Sequence, residues 1–229
     1  PDLLPAGCTL DAWSYALSPT SGVLQSLGTT AGIAAATSLL SLLLGVPAGR
    51  ALGLHRFRGK AAVEVLVLAP VLVPGIAVVL GVQTVFVGLG LTGTLTGVIL
   101  VHLIPTLPYA TLVMAGIFAN LDPKIEEQAR TLGATRWQTA RHVTLPLIRP
   151  GLMVAGLFAF LVSWSQYLPT LVIGGGRVET LPLLLFNFAS SGRNDLASAI
   201  GAIYVLPGLI VLALTAGRLT GQGPGVLRP

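Results

Sequence analysis

Charge is scarce in this sequence. Only 9% of its 229 residues are Asp, Glu, Lys or Arg, where a soluble domain carries about a quarter, so an ordinary water-soluble domain is excluded. Cysteine is almost absent: Cys8 stands alone, which rules out an intramolecular disulfide and a cysteine-cluster metal site. Also missing are His-Glu-x-x-His, Gly-x-Ser-x-Gly and Gly-x-x-x-x-Gly-Lys-Ser/Thr. These arrangements hold a catalytic zinc, expose a nucleophilic serine and cradle nucleotide phosphates. The chain has no phosphate loop with which to hydrolyse ATP, and no catalytic residue, cofactor or metal is expected in it.

Apolar sequence is abundant, with 53% hydrophobic residues and a mean hydropathy of +0.85. Uncharged stretches cover 23–49, 65–121, 151–176 and 196–217. A helix rises about 1.5 Å per residue and needs roughly 20 apolar residues to cross a bilayer core, so the 57 residues of 65–121 must hold two crossings. Their break is expected at Gly88-Leu89-Gly90-Leu91-Thr92-Gly93, where glycine admits backbone angles that a helix cannot use. The resulting prediction is an all-α integral membrane protein with five spans near 23–52, 63–88, 95–118, 152–173 and 197–219. Helices are preferred to barrel strands because backbone polar groups must pair internally in lipid and the segments lack strand alternation.

The basic residues orient these spans. Arg50, Arg56, Arg58 and Lys60 fall in one loop, Lys124, Arg130, Arg136, Arg141 and Arg149 in another, and Arg218 and Arg228 at the end, leaving Arg177 and Arg193 opposite. Short cytoplasmic loops retain positive charge, so residue 1 is expected outside and residue 229 in the cytoplasm. The net charge of +5 is then a topology signal, and nucleic-acid binding gains no support from basic residues that flank spans. Residues 1–21 are expected to form an extracytoplasmic segment continuing from an upstream span, 22–220 the transmembrane domain, and 221–229 a cytoplasmic tail.

One long polar stretch, 119–150, interrupts the spans. Asp122 followed by Pro123 is a helix start, because Asp accepts from free amides and Pro suits the first helical position. Glu126 and Glu127 then lie in the favourable first turns. Gly133 is the expected stop, and a second short helix from Thr135 to Val143 should end at Pro146. On the first helix Ile125, Ala129 and Leu132 define an apolar stripe, with Glu126, Glu127 and Arg130 elsewhere.

The order Glu127-Gln128-Ala129, three residues, Gly133, nine residues, Val143, one residue, Leu145-Pro146 resembles the E-A-A signature of bacterial binding-protein-dependent ABC importer permeases. Gln128 and Val143 stand where that pattern has Ala and Ile. The resemblance implies a five-span permease core with a cytoplasmic coupling helix between spans three and four. It places Glu127, Gln128, Ala129, Gly133, Leu145 and Pro146 at or near contact with a separate ATPase. Implied partners are a cytoplasmic ATP-binding cassette ATPase dimer that binds the ATP, a second permease half (same or homologous), an extracytoplasmic solute-binding protein and the lipid of a bacterial inner membrane. Solutes of the polyamine, thiamine and iron group are the expected cargo. A membrane-surface anchor is the bland reading of the loop, and a stand-alone secondary carrier or membrane enzyme is the competing reading of the chain.

Intramembrane polar residues are expected to face the protein interior or a water path. Ser163, Gln166 and Tyr167 in span four are the translocation-pathway candidates, with His102, Gln83 and Thr84 as lesser ones. Helix-to-helix hydrogen bonding is the alternative for each. Pro70, Pro74, Pro105, Pro108 and Pro207 mark potential kinks. Gly28, Gly32 and Ala36, four apart, suggest close helix packing on span one, and Gly174-Gly175-Gly176 an outer turn.

Overall fold

The computed structural model describes residues 10–219, so Cys8 and the tail 221–229 lie outside the described residues. In chain order the helices are α1 (Asp11–Ala16), α2 (Val23–Leu54), α3 (Lys60–Leu72), α4 (Gly75–Gly88), α5 (Leu95–Ala119), α6 (Pro123–Thr131), α7 (Arg136–Thr139), α8 (Leu145–Trp164), α9 (Leu168–Gly174), α10 (Leu181–Ser190) and α11 (Asn194–Leu219). A 3-10 turn at Pro19–Ser21 precedes α2, and a π-turn at Ala140–Thr144 joins α7 to α8. No strand occurs among the described residues, and the fold is all-α.

Three helices among the described residues are individually long and apolar enough to cross a membrane: α2, α5 and the continuous run Arg136–Trp164. A fourth crossing results if α3 and α4 count as one bent span, while α10 and the Asn194–Ile210 part of α11 are shorter apolar helices. The second expected span is therefore two helices meeting at 101°. Pro74 causes the break. It has no amide to continue the helix, and it drives Val73 to an extended conformation (φ −85°, ψ 138°). The fourth expected span is broken too, with α8 ending at Trp164 and α9 starting at Leu168. Pro169 in the first turn of α9 has no amide to offer the Ser165 carbonyl, so the helix cannot run through.

The α4–α5 break falls where the glycines predicted it. Gly90 and Gly93 have φ of 66° and 71°, and Thr94 caps α5 by accepting from the Gly97 amide at 3.0 Å.

α2 and α5 pack closely along Gly45, Gly49 and Gly53. A Cβ on Gly49 would stand 2.6 Å from Met114 Cβ, and one on Gly53 would stand 2.6 Å from the Ala115 carbonyl oxygen. Only glycine lets the two backbones approach so closely. The earlier trio Gly28, Gly32 and Ala36 is not this contact, since nothing lies within 4 Å of where a Cβ would sit on Gly28 or Gly32. Small residues recur at four-residue spacing along α2, and the crossing point with α5 decides which of them are used.

α8 completes the central layer. Met114, Phe118, Ile148 and Ala155 form an apolar cluster toward the loop-bearing end. Hydroxyls bridge the same helices: Ser41 Oγ lies 2.8 Å from Thr106 Oγ1, and Ser38 donates to the Gly156 carbonyl at 2.9 Å. At the other end, Val23, Ala34, Trp164, Leu181 and Ile200 share a second cluster. Trp164 stacks between Phe160 and Tyr204 with centroids 5.7 and 6.0 Å away.

Candidate functional site

The 119–150 stretch folds as a capped helix, a tight turn and a second helix. Asp122 Oδ1 accepts from the Lys124 amide at 3.0 Å, Pro123 opens α6, and Gly133 takes φ 91° immediately after it. Thr135 and Gln138 then form a reciprocal cap. The Gln138 amide donates to Thr135 Oγ1 at 3.3 Å and the Thr135 amide donates to Gln138 Oε1 at 2.8 Å. The Thr-x-x-Gln spacing is a sequence signal of that cap. Pro146 does not end the second helix. It sits in the first turn of α8, just beyond the π-turn, and the widened turn takes up the clash its ring makes with the carbonyl four residues back.

The apolar stripe of α6 does not face the bundle; Glu126 does. Ile125 is 39% exposed and Leu132 89%, whereas Glu126 is only 6% exposed. Among the expected contact residues, Glu127, Gln128, Gly133, Leu145 and Pro146 are exposed and Ala129 is half-buried. Trp137 of α7 is 71% exposed. The helix thus presents Ile125, Gln128 and Leu132 outward on a loop that is otherwise polar. Glu126 is the side chain that α6 turns toward the bundle, where Arg50 and Thr144 receive it.

Glu126 is held from three elements. Arg50 of α2 binds it in bidentate fashion, Nη1 to Oε1 at 2.9 Å and Nη2 to Oε2 at 2.6 Å. Thr144 of the π-turn donates to Oε1 at 2.7 Å. Arg130, one turn along α6, adds a 3.6 Å contact. The Arg50 hydrogen bond holds the Glu126 carboxyl below its ordinary 4.5; burial opposes it, and Thr144 and the charges of Arg50 and Arg130 reinforce it. Arg50 also stands over the Phe118 ring, 5.6 Å from its centroid. A cavity of about 530 Å³ opens beside Arg50, lined by Val46, Phe118, Trp137, Arg141 and Leu145 among others. Sequence reading missed this cluster, because nothing near Glu126 points to an arginine 76 residues away.

The polar residues of span four do not share one surface. Ser163 is buried against His102, Oγ to Nδ1 at 2.9 Å. His102 Nε2 in turn lies 2.9 Å from Thr170 Oγ1. Gln166 donates back to the Val162 carbonyl at 3.1 Å and lines a cavity of about 50 Å³ with Pro70, Gly75, Pro105 and Pro169. Tyr167 packs on Phe186 at 4.7 Å. Gln83 is half-buried and Thr84 exposed on α4.

Comparison with known proteins places this geometry. Residues 41–220 match the family model described as binding-protein-dependent transport system inner membrane component. The chain is 30% identical over 191 residues to an ABC transporter permease protein, ORF1, of Streptomyces antibioticus, covering 82% of this chain and 83% of that one. It is 26% identical to the spermidine/putrescine transport system permease protein PotC of Haemophilus influenzae, over 80% of this chain and 71% of PotC. In fold it is similar to a chain in the crystal structure of a bacterial ABC transporter involved in the import of the acidic polysaccharide alginate. That likeness has a TM-score of 0.71 at 19% identity, over 96% of this chain and 82% of the other.

Proposed function

This chain belongs to the binding-protein-dependent transport system inner membrane component family, and we propose that it works there by docking a separate ATPase through the outward face of α6. It is a membrane-embedded permease of an ABC importer, a transport component and not an enzyme. Family membership supports the permease reading over a stand-alone carrier or a membrane enzyme.

The observation that carries the docking proposal is an uncovered apolar face on a stiffened polar loop. Ile125, Leu132 and Trp137 are 39%, 89% and 71% exposed, while caps at Asp122 and Thr135 and the Glu126 ion pair hold their helices in place. A stiff projecting helix passes on the movement of a partner; a pliant loop absorbs it. Glu127, Gln128, Ala129 and Gly133 form the contact, with Leu145 and Pro146 at the root of the second helix. ATP is bound by the ATPase dimer. The loop lies on the cytoplasmic side, following the basic residues, and residues 1–21 on the outer side with the solute-binding protein. A second permease half, a copy or a homologue, completes the path. Gln166 faces that path; its lining of a small cavity between the α3–α4 and α8–α9 breaks supports this. The cargo is a small solute, with the polyamine, thiamine or iron group as the expected class; the names of relatives span a polyamine, disaccharides and a phosphonate, so they support a small solute without choosing among these.

The test is crosslinking from Gln128→Cys in a Cys8→Ser background to the co-encoded ATPase, with and without ATP. A crosslink whose yield changes with nucleotide is expected. Absence of any crosslink with the ATPase bound to the membrane would return the loop to the role of a lipid anchor.

A further inference from the structure

Three structural units meet at one carboxylate. Glu126 lies on α6; its two oxygens are held by Arg50 of α2, and one of them also by Thr144 of the π-turn that leads into α8. α2 is itself locked to α5 through Gly45, Gly49 and Gly53, whose missing Cβ atoms would stand 2.6 to 2.9 Å from α5 atoms, and Arg50 covers Phe118 near the end of α5. By contrast α6 has little else to hold it to the bundle: Glu126 is its one buried residue.

We infer that Glu126, gripped by Arg50 and Thr144, is the mechanical link through which displacement of α6 is passed to the α2–α5 pair and to α8. This rests on α6 being the ATPase-docking helix. The physical argument is one of stiffness. A bidentate guanidinium–carboxylate pair fixes both distance and orientation, which a single hydrogen bond or an apolar contact does not. The Glu126 side chain is only 7% exposed, which limits competing water at the carboxylate, while Arg50 keeps 36% of its side chain in contact with solvent. Thr144 stands in the π-turn that runs directly into α8, so its hydrogen bond to Glu126 ties α6 to the root of that helix. Arg50 and Thr144 are positioning residues, acting through Glu126. Arg130 contributes charge at 3.6 Å but belongs to α6 and cannot join it to another helix.

The experiment uses the assembled importer in proteoliposomes. Spin labels on Lys124 of α6 and His55 just beyond α2, both exposed, report the α6–α2 distance with and without ATP. In the otherwise unaltered protein that distance is expected to stay constant while the Gln128→Cys crosslink to the ATPase changes. In Glu126→Gln the distance should become nucleotide-dependent, solute uptake should fall about tenfold, and ATP hydrolysis should persist uncoupled from uptake. Thr144→Val keeps the ion pair and serves if Glu126→Gln does not assemble; it should lower uptake about threefold with the crosslink unchanged. A distance that changes with ATP in the unaltered protein, or full uptake in both variants, overturns the link while leaving docking intact. Loss of the crosslink from the unaltered protein would instead defeat the docking reading itself.

Discussion

His102 and Ser163, 61 residues apart in the chain, meet in the buried centre with Nδ1 2.9 Å from Oγ. The other ring nitrogen reaches Thr170, so one imidazole from α5 holds both sides of the α8–α9 break. Replacing His102 by Leu strands the hydroxyl of Ser163, while Thr170 keeps its bond to the Gln166 carbonyl at 3.0 Å. The expected loss is about 1 kcal/mol, in line with hydrogen bonds between membrane helices. Thermal unfolding in detergent should show a lowered midpoint, and an unchanged one would mean that the break holds without the histidine.

Gly49 and Gly32 offer a paired test of which small residues on α2 matter. Gly49→Val must displace the backbone of α5 and is expected to destabilise by about 1–3 kcal/mol. Gly32→Ala enters open space and should leave the unfolding midpoint where it was. The reverse order would show that the stripe near Gly28 carries the packing.

Gly133 has φ 91° and nothing within 4 Å of a would-be Cβ. Within the chain the penalty of Gly133→Ala is therefore conformational, about 1–2 kcal/mol. Asn, which tolerates left-handed angles better, should recover part of it. Uptake assays on the two variants are expected to rank Gly above Asn above Ala.

Glu126 sets an acid limit. Its carboxyl is held below the ordinary 4.5, first by the hydrogen bond from Arg50, and the charges facing it are Arg50 of α2 and Arg130 of α6, with the neutral Thr144 hydroxyl from the π-turn. A carboxylate whose pKa is depressed by folding adds stability that is complete above its unfolded value and is lost as pH falls through the folded one. The stability difference between the protein and Glu126→Gln should be full at neutral pH and close only well into the acid range. Unfolding midpoints measured from neutrality downward check this, and a gap that closed above 4.5 would contradict the Arg50 pairing.

Features that depend on neighbouring residues were readable in advance. The Asp122-Pro123 start of α6, the stop at Gly133 and the break around Gly90 follow from amide count and from φ, and they fall where those rules put them. The sequence showed an apolar stripe on α6 but not which face meets the bundle, because the partner of Glu126, Arg50, lies 76 residues away on another helix. Pro74 and Pro146 carried the same local signal and ended differently. Pro74 opened a 101° bend, while the π-turn before Pro146 absorbed its strain within a continuous helix.

Sequence alone determined that the chain is a helical membrane protein, because long uncharged stretches leave the backbone no partner but itself. It also determined where the long polar loop at 119–150 lies and how its first helix is capped, since caps and glycine angles are settled within a few residues. Only the tertiary structure decided which turn of α2 meets α5, that Ser163 and Thr170 share His102, and that Glu126 faces inward. Each of those choices is a contest between side chains far apart in sequence, and it is resolved by which helices can approach closely enough to exclude water and complete a hydrogen bond.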